Sequence, residues 1–414
     1  MSNKILLSHP TGNANVRAVL AGLHSAEQLH SFHTSVATYP NNIFDWMSRF
    51  PGGKEFLKRS YPPYAQCYTK QYPYKELGRI LAGKLSLKDL TAHELGKFSV
   101  DQVYHHIDRQ VANYISRRSD INAVYTYEDG ALASFHAAKE KNAFCLYDLP
   151  TGYWKANRIL LEQEIERRPE WADTFRGFKD SEEKLLRKDQ ELVLADTIYV
   201  ASSFTADTLK YFKDELPPVE IIPYGFPPVK LEHIEAKLKR LKLNGKIKLL
   251  FVGKLSQQKG LADIFEVVKK YQNYVELTLI GSLYDNKTLH EELKSHNYLG
   301  TMSHPLVLEQ MHMHDVLLFP SLFDGFGMVM SEAMSQGTPV IASDRCAGPD
   351  IIRHGENGWL MQAGNTESLE QVVLSIIQNR EQIKDVSYGA TYTAMKRPWE
   401  SYAAELTNTI RMHL

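Results

Sequence analysis

The chain has 414 residues, of which 43% are hydrophobic and 23% charged, and its formal net charge is -1. A chain of this length exceeds the size at which one hydrophobic core usually divides, so we expect two domains. The near-zero charge argues against a dedicated nucleic-acid-binding protein, and no apolar run is long enough for a transmembrane helix or, at the first residues, for a signal peptide.

Strand and helix patterns alternate along the first half of the chain, which predicts a doubly wound α/β domain with a parallel sheet. The first strand is predicted at 4–8, and a polar, glycine-containing loop follows at 9–17 before an amphipathic helix begins. A heavily charged helix is predicted over about 176–194. Further strands are predicted at 123–127, 144–147, 197–200 and 219–222.

A long aromatic and basic region extends from about residue 61 to residue 118, with several Tyr-Pro breaks. It has two interpretations: a packed helical insertion, or a surface that touches a membrane. We favour the packed insertion, because amphipathic helices usually face a core. The proline-rich segment 223–228 is the predicted linker, since its prolines end a strand and stiffen a crossing between domains. The predicted domains are therefore 1–225 and 226–393.

Two lysines flank a short loop after the strand predicted at 247–253. Lys254 and Lys259 enclose Leu-Ser-Gln-Gln, and an amphipathic helix begins after Gly260. Open α/β sheets bind ligands at the carboxyl ends of their strands, and two cations there can neutralise a departing diphosphate. On its own, the pair is also typical of solvated surface charge.

A second motif follows the strand predicted at 316–319. Asp324 lies on the loop after this strand, and Glu332 lies about two turns into the helix predicted at 328–335. Glycines between them leave the helix start free of side-chain bulk, so its backbone N–H groups suit a phosphate. The alternative is an ordinary strand-to-helix turn with a solvated aspartate, and this motif alone does not decide between the two.

Together, in this order and spacing, the two motifs resemble those of GT-B glycosyltransferases of glycosyltransferase family 4. That family has a Gly-Arg-x4-Lys-Gly turn and a Glu-x7-Glu motif, which stand here as Gly-Lys-x4-Lys-Gly at 253–260 and Asp-x7-Glu at 324–332. The specific resemblance covers about residues 190–375. It implies two Rossmann-like domains facing a cleft, with a C-terminal helix, about 394–414, that crosses back to complete the first domain.

The resemblance also implies roles for individual residues. Glu332 matches the acid that holds the nucleotide ribose, and Asp324 matches the acid that contacts hydroxyls of the transferred sugar. Lys254 replaces the family's arginine and lacks its planar fork for bidentate phosphate binding. Asp324 is one methylene shorter than the family's glutamate, so the identity of the sugar stays open. The catalytic residues that we expect are Lys254, Lys259, Asp324, Glu332 and Asp148.

Contacts to the nucleotide sugar are expected from both domains. The loop after the first strand follows the rule that ligands lie at a switch point of the sheet. Asp148 ends another strand in a region that faces the reacting sugar in the family, and an Asp-Pro turn is the alternative. The segment 128–130 either lines the acceptor side or forms a solvated turn. The predicted contact residues are Gly12, Asn13, Gly253, Met302, Gly325, Phe326, Gly327, Met328 and Val329.

No metal and no cofactor are expected, because lysines and a helix dipole would replace the cation. His312 and His314 do not share a helix face, and no ligand cluster completes a zinc pattern. P-loop, GxSxG and HExxH motifs do not occur, which counts against P-loop kinase, hydrolase and zincin functions. Cys67, Cys145 and Cys346 are widely spaced, which predicts buried, reduced thiols in a cytoplasmic protein.

The resulting prediction is a retaining, metal-independent glycosyltransferase of the hexosyltransferase class. Its donor would be a UDP-, GDP- or ADP-linked sugar, and its acceptor a glycan, a lipid-linked glycan or a protein. We expect no nucleic-acid partner and a cytoplasmic location, with peripheral contact at the inner face of the membrane left open. The alternatives are a catalytically silent GT-B sugar-nucleotide-binding or partner subunit, a nucleotide-sugar epimerase and, less favoured, a phosphorylase-like enzyme with a pyridoxal cofactor.

Overall fold

The computed structural model describes residues 3–50, 52–175, 178–240 and 245–414. Within these ranges the named strands pair in parallel and form two separate sheets. The first sheet contains Ile5–Ser8 (β1), Leu29–Thr34 (β2), Thr69–Gln71 (β3), Ala123–Tyr127 (β4), Phe144–Leu149 (β5), Thr197–Val200 (β6) and Val219–Ile221 (β7). The second contains Ile247–Val252 (β8), Val275–Ile280 (β9), Asn297–Tyr298 (β10), Val316–Phe319 (β11), Val340–Ser343 (β12) and Trp359–Met361 (β13).

Helices connect successive strands and complete two doubly wound α/β domains. The helices of the first half are Ala14–Ser25 (α1), Ile43–Ser48 (α2), Tyr74–Lys84 (α3), Val100–Ile115 (α4), Leu132–Glu140 (α5), Trp154–Arg167 (α6), Glu182–Leu194 (α7) and Ser203–Thr208 (α8). Those of the second half are Leu231–Arg240 (α9), Leu261–Lys270 (α10), Lys287–Leu293 (α11), His304–Met313 (α12), Met328–Ser335 (α13), Gly348–Ile351 (α14), Thr366–Gln378 (α15), Gln382–Lys396 (α16) and Trp399–His413 (α17).

The direction of winding reverses once in each sheet. The first has the order β3-β2-β1-β4-β5-β6-β7, and the second has the order β10-β9-β8-β11-β12-β13. Strand order therefore reverses between β1 and β4 and again between β8 and β11. Doubly wound sheets bind ligands at the carboxyl ends of their strands, next to such a reversal of strand order.

Several inner strands are buried along their whole length. Strands β1, β4, β6, β11 and β12 expose no residue, because helices cover both faces of each parallel sheet. Continuous apolar runs follow from this arrangement, and they explain why the strand predictions at 123–127, 197–200 and 316–319 match the structure.

The C-terminal helix α17 returns to the first domain and packs along α1. Contact is close at Gly22, where an added Cβ would lie 2.9 Å from the carbonyl oxygen of Ala403. The linker joins the same surface: Tyr224 is buried, its ring centre lies 5.4 Å from that of Tyr402, and the Phe226 N–H donates to the Arg397 carbonyl at 2.8 Å. The expected crossing-back helix is confirmed.

Some expectations differ from the structure. The region 61–118 is not a wholly helical insertion, because β3 lies within it and pairs with β2 as an edge strand. Cys67 is exposed rather than buried, whereas the other two cysteines are buried. Helix α7 begins at Glu182, and residues 176 and 177 of the predicted helix lie outside the described residues. The boundary between 225 and 226 falls between β7 and α9, and it stays a prediction.

Candidate functional site

The loop after β8 is fixed by two glycines with positive φ. Gly253 has φ 156° where the strand ends, and Gly260 has φ 74° where α10 begins. An added Cβ at Gly260 would collide with the carbonyl of Pro320. Only glycine satisfies both the conformation and this close approach, so the loop after β8 lies against the loop after β11.

The two predicted lysines of this loop have different surroundings. Lys259 pairs with Asp324, and its Nζ lies 5.6 Å from the ring centre of Phe319. Lys254 is exposed, and its side chain makes no hydrogen bond or ion pair with any described residue. The first cation is thus already neutralised by a carboxylate, whereas the second is available to a ligand.

The start of α13 presents backbone donors beside this ion pair. Gly327 adopts a left-handed conformation with φ 85°, and the helix begins at Met328. The first-turn N–H groups, at Met328 and Val329, have no intrahelical acceptor, so they and the helix dipole favour an anion. The Phe326 N–H donates to Oδ1 of Asp324 at 3.2 Å, and the Phe326 ring is buried.

Gly325 contacts the first domain. Its carbonyl oxygen accepts hydrogen bonds from the hydroxyls of Ser202 at 2.5 Å and Thr205 at 3.1 Å. An added Cβ would collide with the carbonyl of Pro150. Asp350 of the second domain accepts the Ser203 N–H at 3.0 Å. The loop that carries Asp324 is therefore held from both domains, a contact that sequence reasoning did not find.

Glu332 is half-buried on α13, and its partner is a histidine. His304 Nε2 lies 2.9 Å from Glu332 Oε1. His304 opens α12, two residues after the predicted contact residue Met302. Met302 is half-buried against the core. The start of α12 therefore lies beside the predicted ribose acid, and the pairing of His304 with Glu332 was not predicted.

Asp148 is the second-last residue of β5 and is almost fully buried. The Tyr125 hydroxyl donates to its Oδ2 at 2.7 Å. Burial raises the pKa of Asp148 to about 7, although that hydrogen bond acts in the opposite direction. Burial likewise raises the pKa of Tyr127, Tyr224 and Tyr402, and the negative charge of nearby Asp148 raises each of these pKa values further. The carboxyl group therefore titrates near neutral pH.

The loop after β1 lies at the switch point of the first sheet. Asn13 is exposed and precedes α1 without capping it through its side chain. Gly12 packs against the Tyr61 ring, which leaves no space for a Cβ. The guanidinium of Arg17 donates to the Lys58 carbonyl at 2.6 Å. Asn13 is thus the predicted contact residue here that is open to solvent.

The segment 128–130 is not a solvated turn. Glu128 is close to Lys188, whose Nζ lies 3.2 Å from its Oε1, and the Thr151 hydroxyl donates to Glu128 Oε2 at 3.2 Å. Burial raises the pKa of Glu128, and Lys188 opposes that shift. Asp129 pairs with Arg187 at 2.9 Å. The alternative of a solvated turn was wrong, because α7 supplies cations to both acids.

Within the described ranges, one group of side chains has the spacing of metal ligands: His93, Glu94 and Asp180. A lysine already supplies positive charge there, since Lys184 Nζ lies 3.3 Å from Asp180 Oδ1. Sequence reasoning did not select this group. It lies between the loop before α4 and the start of α7, and none of its members was predicted to bind the donor.

Comparison with known proteins finds a family match in the second domain. Residues 233–392 match the family model of glycosyl transferases group 1. This part of the chain is similar to group 1 glycosyltransferase domains. The uncharacterized glycosyltransferase MJ1178 of Methanocaldococcus jannaschii is 31% identical over 36% of this chain and 44% of its own length. The capsular polysaccharide biosynthesis glycosyltransferase CapM of Staphylococcus aureus is 24% identical over 51% of this chain and 60% of its own length. The chain therefore spans less than two thirds of either relative.

Solved structures match the whole chain. Sucrose-phosphate synthase from Thermosynechococcus elongatus has a TM-score of 0.65 at 17% identity and covers 99% of this chain and 98% of its own. Anabaena HepE in complex with UDP-glucose has a TM-score of 0.61 at 15% identity and covers 99% of both chains. These neighbours share the GT-B fold, which confirms the predicted fold class. The roles of the individual site residues stay predictions.

Proposed function

We propose that the protein transfers a sugar from a nucleoside-diphosphate sugar to an acceptor hydroxyl in the cleft between its two sheets. One observation carries this proposal: Lys259 pairs with Asp324 beside the open start of α13, where the loops after β8 and β11 touch at the reversal of strand order. Lys254 lies on the first of these loops, and Glu332 lies on α13. Cations and free N–H groups at one crevice suit a diphosphate, and the paired acids suit sugar and ribose hydroxyls. The match of the second domain to the family model of glycosyl transferases group 1 supports the same activity.

The ion pair between Lys259 and Asp324 defines how the donor enters. A diphosphate competes with Asp324 for Lys259, and the carboxylate that it releases then accepts sugar hydroxyls. Lys254 and the first-turn N–H groups of α13 bind the remaining phosphate oxygens. Preorganised positive charge at this position stabilises the negative charge that develops on the leaving group. Glu332 holds the ribose, supported by its hydrogen bond with His304.

The transfer that we propose retains the anomeric configuration and needs no metal. The bond between the sugar C1 and the diphosphate oxygen breaks, and its electron pair leaves with the diphosphate. The acceptor oxygen forms the new bond to C1 on the same face, and its proton passes to the departing phosphate oxygen. Asp148 supports the acceptor side, because Pro150, two residues further on, contacts Gly325 of the donor loop.

UDP is the first donor nucleotide to test, with GDP and ADP as competitors, and the acceptor classes are a glycan, a lipid-linked glycan or a protein. The names of the neighbour that binds UDP-glucose and of the capsular polysaccharide relative support this choice. We retain the cytoplasm as the expected location. A catalytically silent subunit is the competing function, and it predicts nucleotide binding without turnover.

A membrane-borne acceptor is favoured by one surface of the first domain. None of the described helices is long and apolar enough to cross a membrane. Around α2 and the end of α3, however, large apolar side chains are exposed among cations, and Lys84 Nζ donates to the Gly52 carbonyl at 2.7 Å, which joins the two segments. The exposed apolar residues are Ile43, Trp46, Phe50, Leu57, Leu81 and Leu85. The cations among them are Arg49, Lys54, Lys58, Lys84 and Lys88.

Such a surface suits peripheral contact with anionic lipid, since apolar side chains and lysines bind a bilayer interface together. Co-sedimentation with anionic vesicles should retain the protein at low salt, and a Trp46→Ser and Phe50→Ser double variant should lose that retention. Membrane contact would be contradicted if neutral vesicles retained the wild type equally well, or if anionic vesicles retained the double variant equally well. Soluble acceptors would then be the remaining class.

Thermal unfolding with nucleotides tests the donor site. UDP at about 100 times its Kd should stabilise the native state by about 2.7 kcal/mol, with or without EDTA. Glu332→Ala should lose this stabilisation, and Glu309→Ala should keep it, because Glu309 is an exposed acid on the neighbouring helix α12. Release of UDP from UDP-sugars separates a transferase from a silent subunit. Stabilisation by none of UDP, GDP and ADP would contradict the proposed function.

A further inference from the structure

Helix α6 and the turn after it follow the first-domain strand β5, but their side chains pack into the second domain. Trp171 lies in the core of the second sheet, with its ring centre 5.9 Å from that of Phe265. The Asn286 amide donates to the Glu170 carbonyl at 2.9 Å. The segment 154–174 therefore crosses from the acceptor side of the cleft to the donor side.

The contact point on the donor side is Gln257, which lies in the loop between the two predicted donor-site lysines and is fully buried. Its N–H donates to the Thr174 hydroxyl at 3.0 Å, and its side-chain Nε2 donates to Glu164 Oε1 at 2.7 Å. Its Oε1 accepts the Ala262 N–H at 2.7 Å. Segment 154–174 thus holds both the backbone and the side chain of this loop.

Charged groups hold Glu164 in place. Arg167 donates to both oxygens of the buried Glu164 at 2.8 Å, and to both oxygens of Asp263 at 2.9 and 2.8 Å. Asp263 lies on α10, the helix that follows the lysine loop. Burial acts to raise the pKa of Asp263, but the hydrogen bonds and charge of Arg167 lower it below its usual value. Bidentate hydrogen bonds between charged groups are strong and directional.

We propose that Glu164 and Gln257 are positioning residues that set the lysine loop for the donor diphosphate. Because α6 begins a few residues after Asp148, the same segment links the acceptor side of the cleft to the position of Lys254 and Lys259. This inference rests on the proposed function for its ligand, a nucleoside diphosphate. The contacts of Glu164 and Gln257 do not depend on the proposed function. Two measurements therefore test the positioning role and the proposed function separately.

Hydrogen exchange of the backbone amides of residues 254–260 in the free protein reports how firmly the lysine loop is held. Gln257→Glu sets two carboxylates against each other, and we expect exchange in this loop to be about tenfold faster. In the double variant that also carries Glu164→Gln, the amide lies at position 164 and the carboxylate at position 257. The hydrogen bond between the two positions can then form again, and slow hydrogen exchange should return. Glu166→Gln, an exposed acid on the same helix, is the matched control and should not change it. Should Gln257→Glu fail to fold, Gln257→Leu replaces it.

Calorimetric titration with UDP supplies the second readout. Gln257→Glu should weaken the Kd about tenfold or more, and the exchanged pair should return it to within about threefold of the wild type. Two results for Gln257→Glu would overturn the positioning role. One is faster hydrogen exchange with an unchanged Kd for UDP, and the other is hydrogen exchange at the wild-type rate. If the wild type binds none of UDP, GDP and ADP, the proposed function fails, and hydrogen exchange still decides whether Glu164 positions the loop.

Discussion

Replacing Lys259 by alanine tests the donor site most directly. In the free protein this lysine is paired with Asp324, and the two side chains are 23% and 21% exposed. A partly exposed ion pair is screened by solvent and contributes about 1 kcal/mol or less to the free energy of unfolding. We therefore expect Lys259→Ala to fold with nearly the stability of the wild type, so that any loss of binding is not a loss of structure.

Two effects on the bound diphosphate add together in this variant. Loss of a charged hydrogen bond to phosphate costs about 1.5–3 kcal/mol. The unpaired Asp324 carboxylate then repels the diphosphate by about 1 kcal/mol. Together they predict a Kd for UDP that is about 100- to 1,000-fold weaker. Lys254→Ala should cost only about tenfold, because this side chain is exposed and its removal leaves no carboxylate unpaired.

Calorimetric titration with UDP, together with the rate of UDP release from UDP-sugar, measures the effect. Lys270→Ala is the matched control, since Lys270 forms an ion pair with Glu370 on the same domain but makes no contact with the candidate site. Equal UDP affinity in Lys259→Ala and the wild type would refute the assignment. A larger loss in Lys254→Ala than in Lys259→Ala would refute the argument from the unpaired carboxylate.

Three further results are expected. Gly260→Ala should lower the free energy of unfolding by about 1–3 kcal/mol, measured in urea, because it combines positive φ with a collision at Pro320. Asp148 has a raised folded pKa, so its contribution to stability is present at low pH and is lost as pH rises through about 7. Wild-type stability should fall from pH 5 to pH 7 by about 2 kcal/mol more than that of Asp148→Asn in urea titrations. His304→Ala should weaken UDP binding less than about fivefold in calorimetry, since the His304 side chain is itself largely exposed to solvent.

The strands were predictable wherever burial leaves a continuous apolar pattern. Strand β11 is such a run, bounded by a proline, and its predicted and observed bounds agree. Strand β3, Thr-Lys-Gln, has no such pattern, because a short edge strand is held by pairing with its neighbour rather than by its own apolar side chains. The acids and lysines of the candidate site could be selected because the spacing within each pair is local, and their roles stay predictions.

Contacts between distant segments left no local pattern in the sequence. Glu164 and Gln257 are 93 positions apart, and nothing in the spacing of either segment indicates that they meet. The same holds for Ser202 and Gly325, which are 123 positions apart. Such contacts depend on how two domains close on each other, and this is set by side chains on surfaces that the sequence presents separately.

The placement of Asp324 follows from those distant contacts. Its Oδ2 pairs with Lys259, its Oδ1 accepts the Phe326 N–H, and the carbonyl of the next residue, Gly325, is fixed by hydroxyls of the first domain. After a diphosphate displaces Asp324 from Lys259, the Phe326 N–H and the fixed Gly325 carbonyl still limit how far this carboxylate can extend, and it is one methylene shorter than a glutamate. If Asp324 contacts the transferred sugar as we propose, the cleft must bring the sugar close to the lysine loop. Helix α6, which ties that loop to the acceptor side, is the element that can hold the cleft at this spacing.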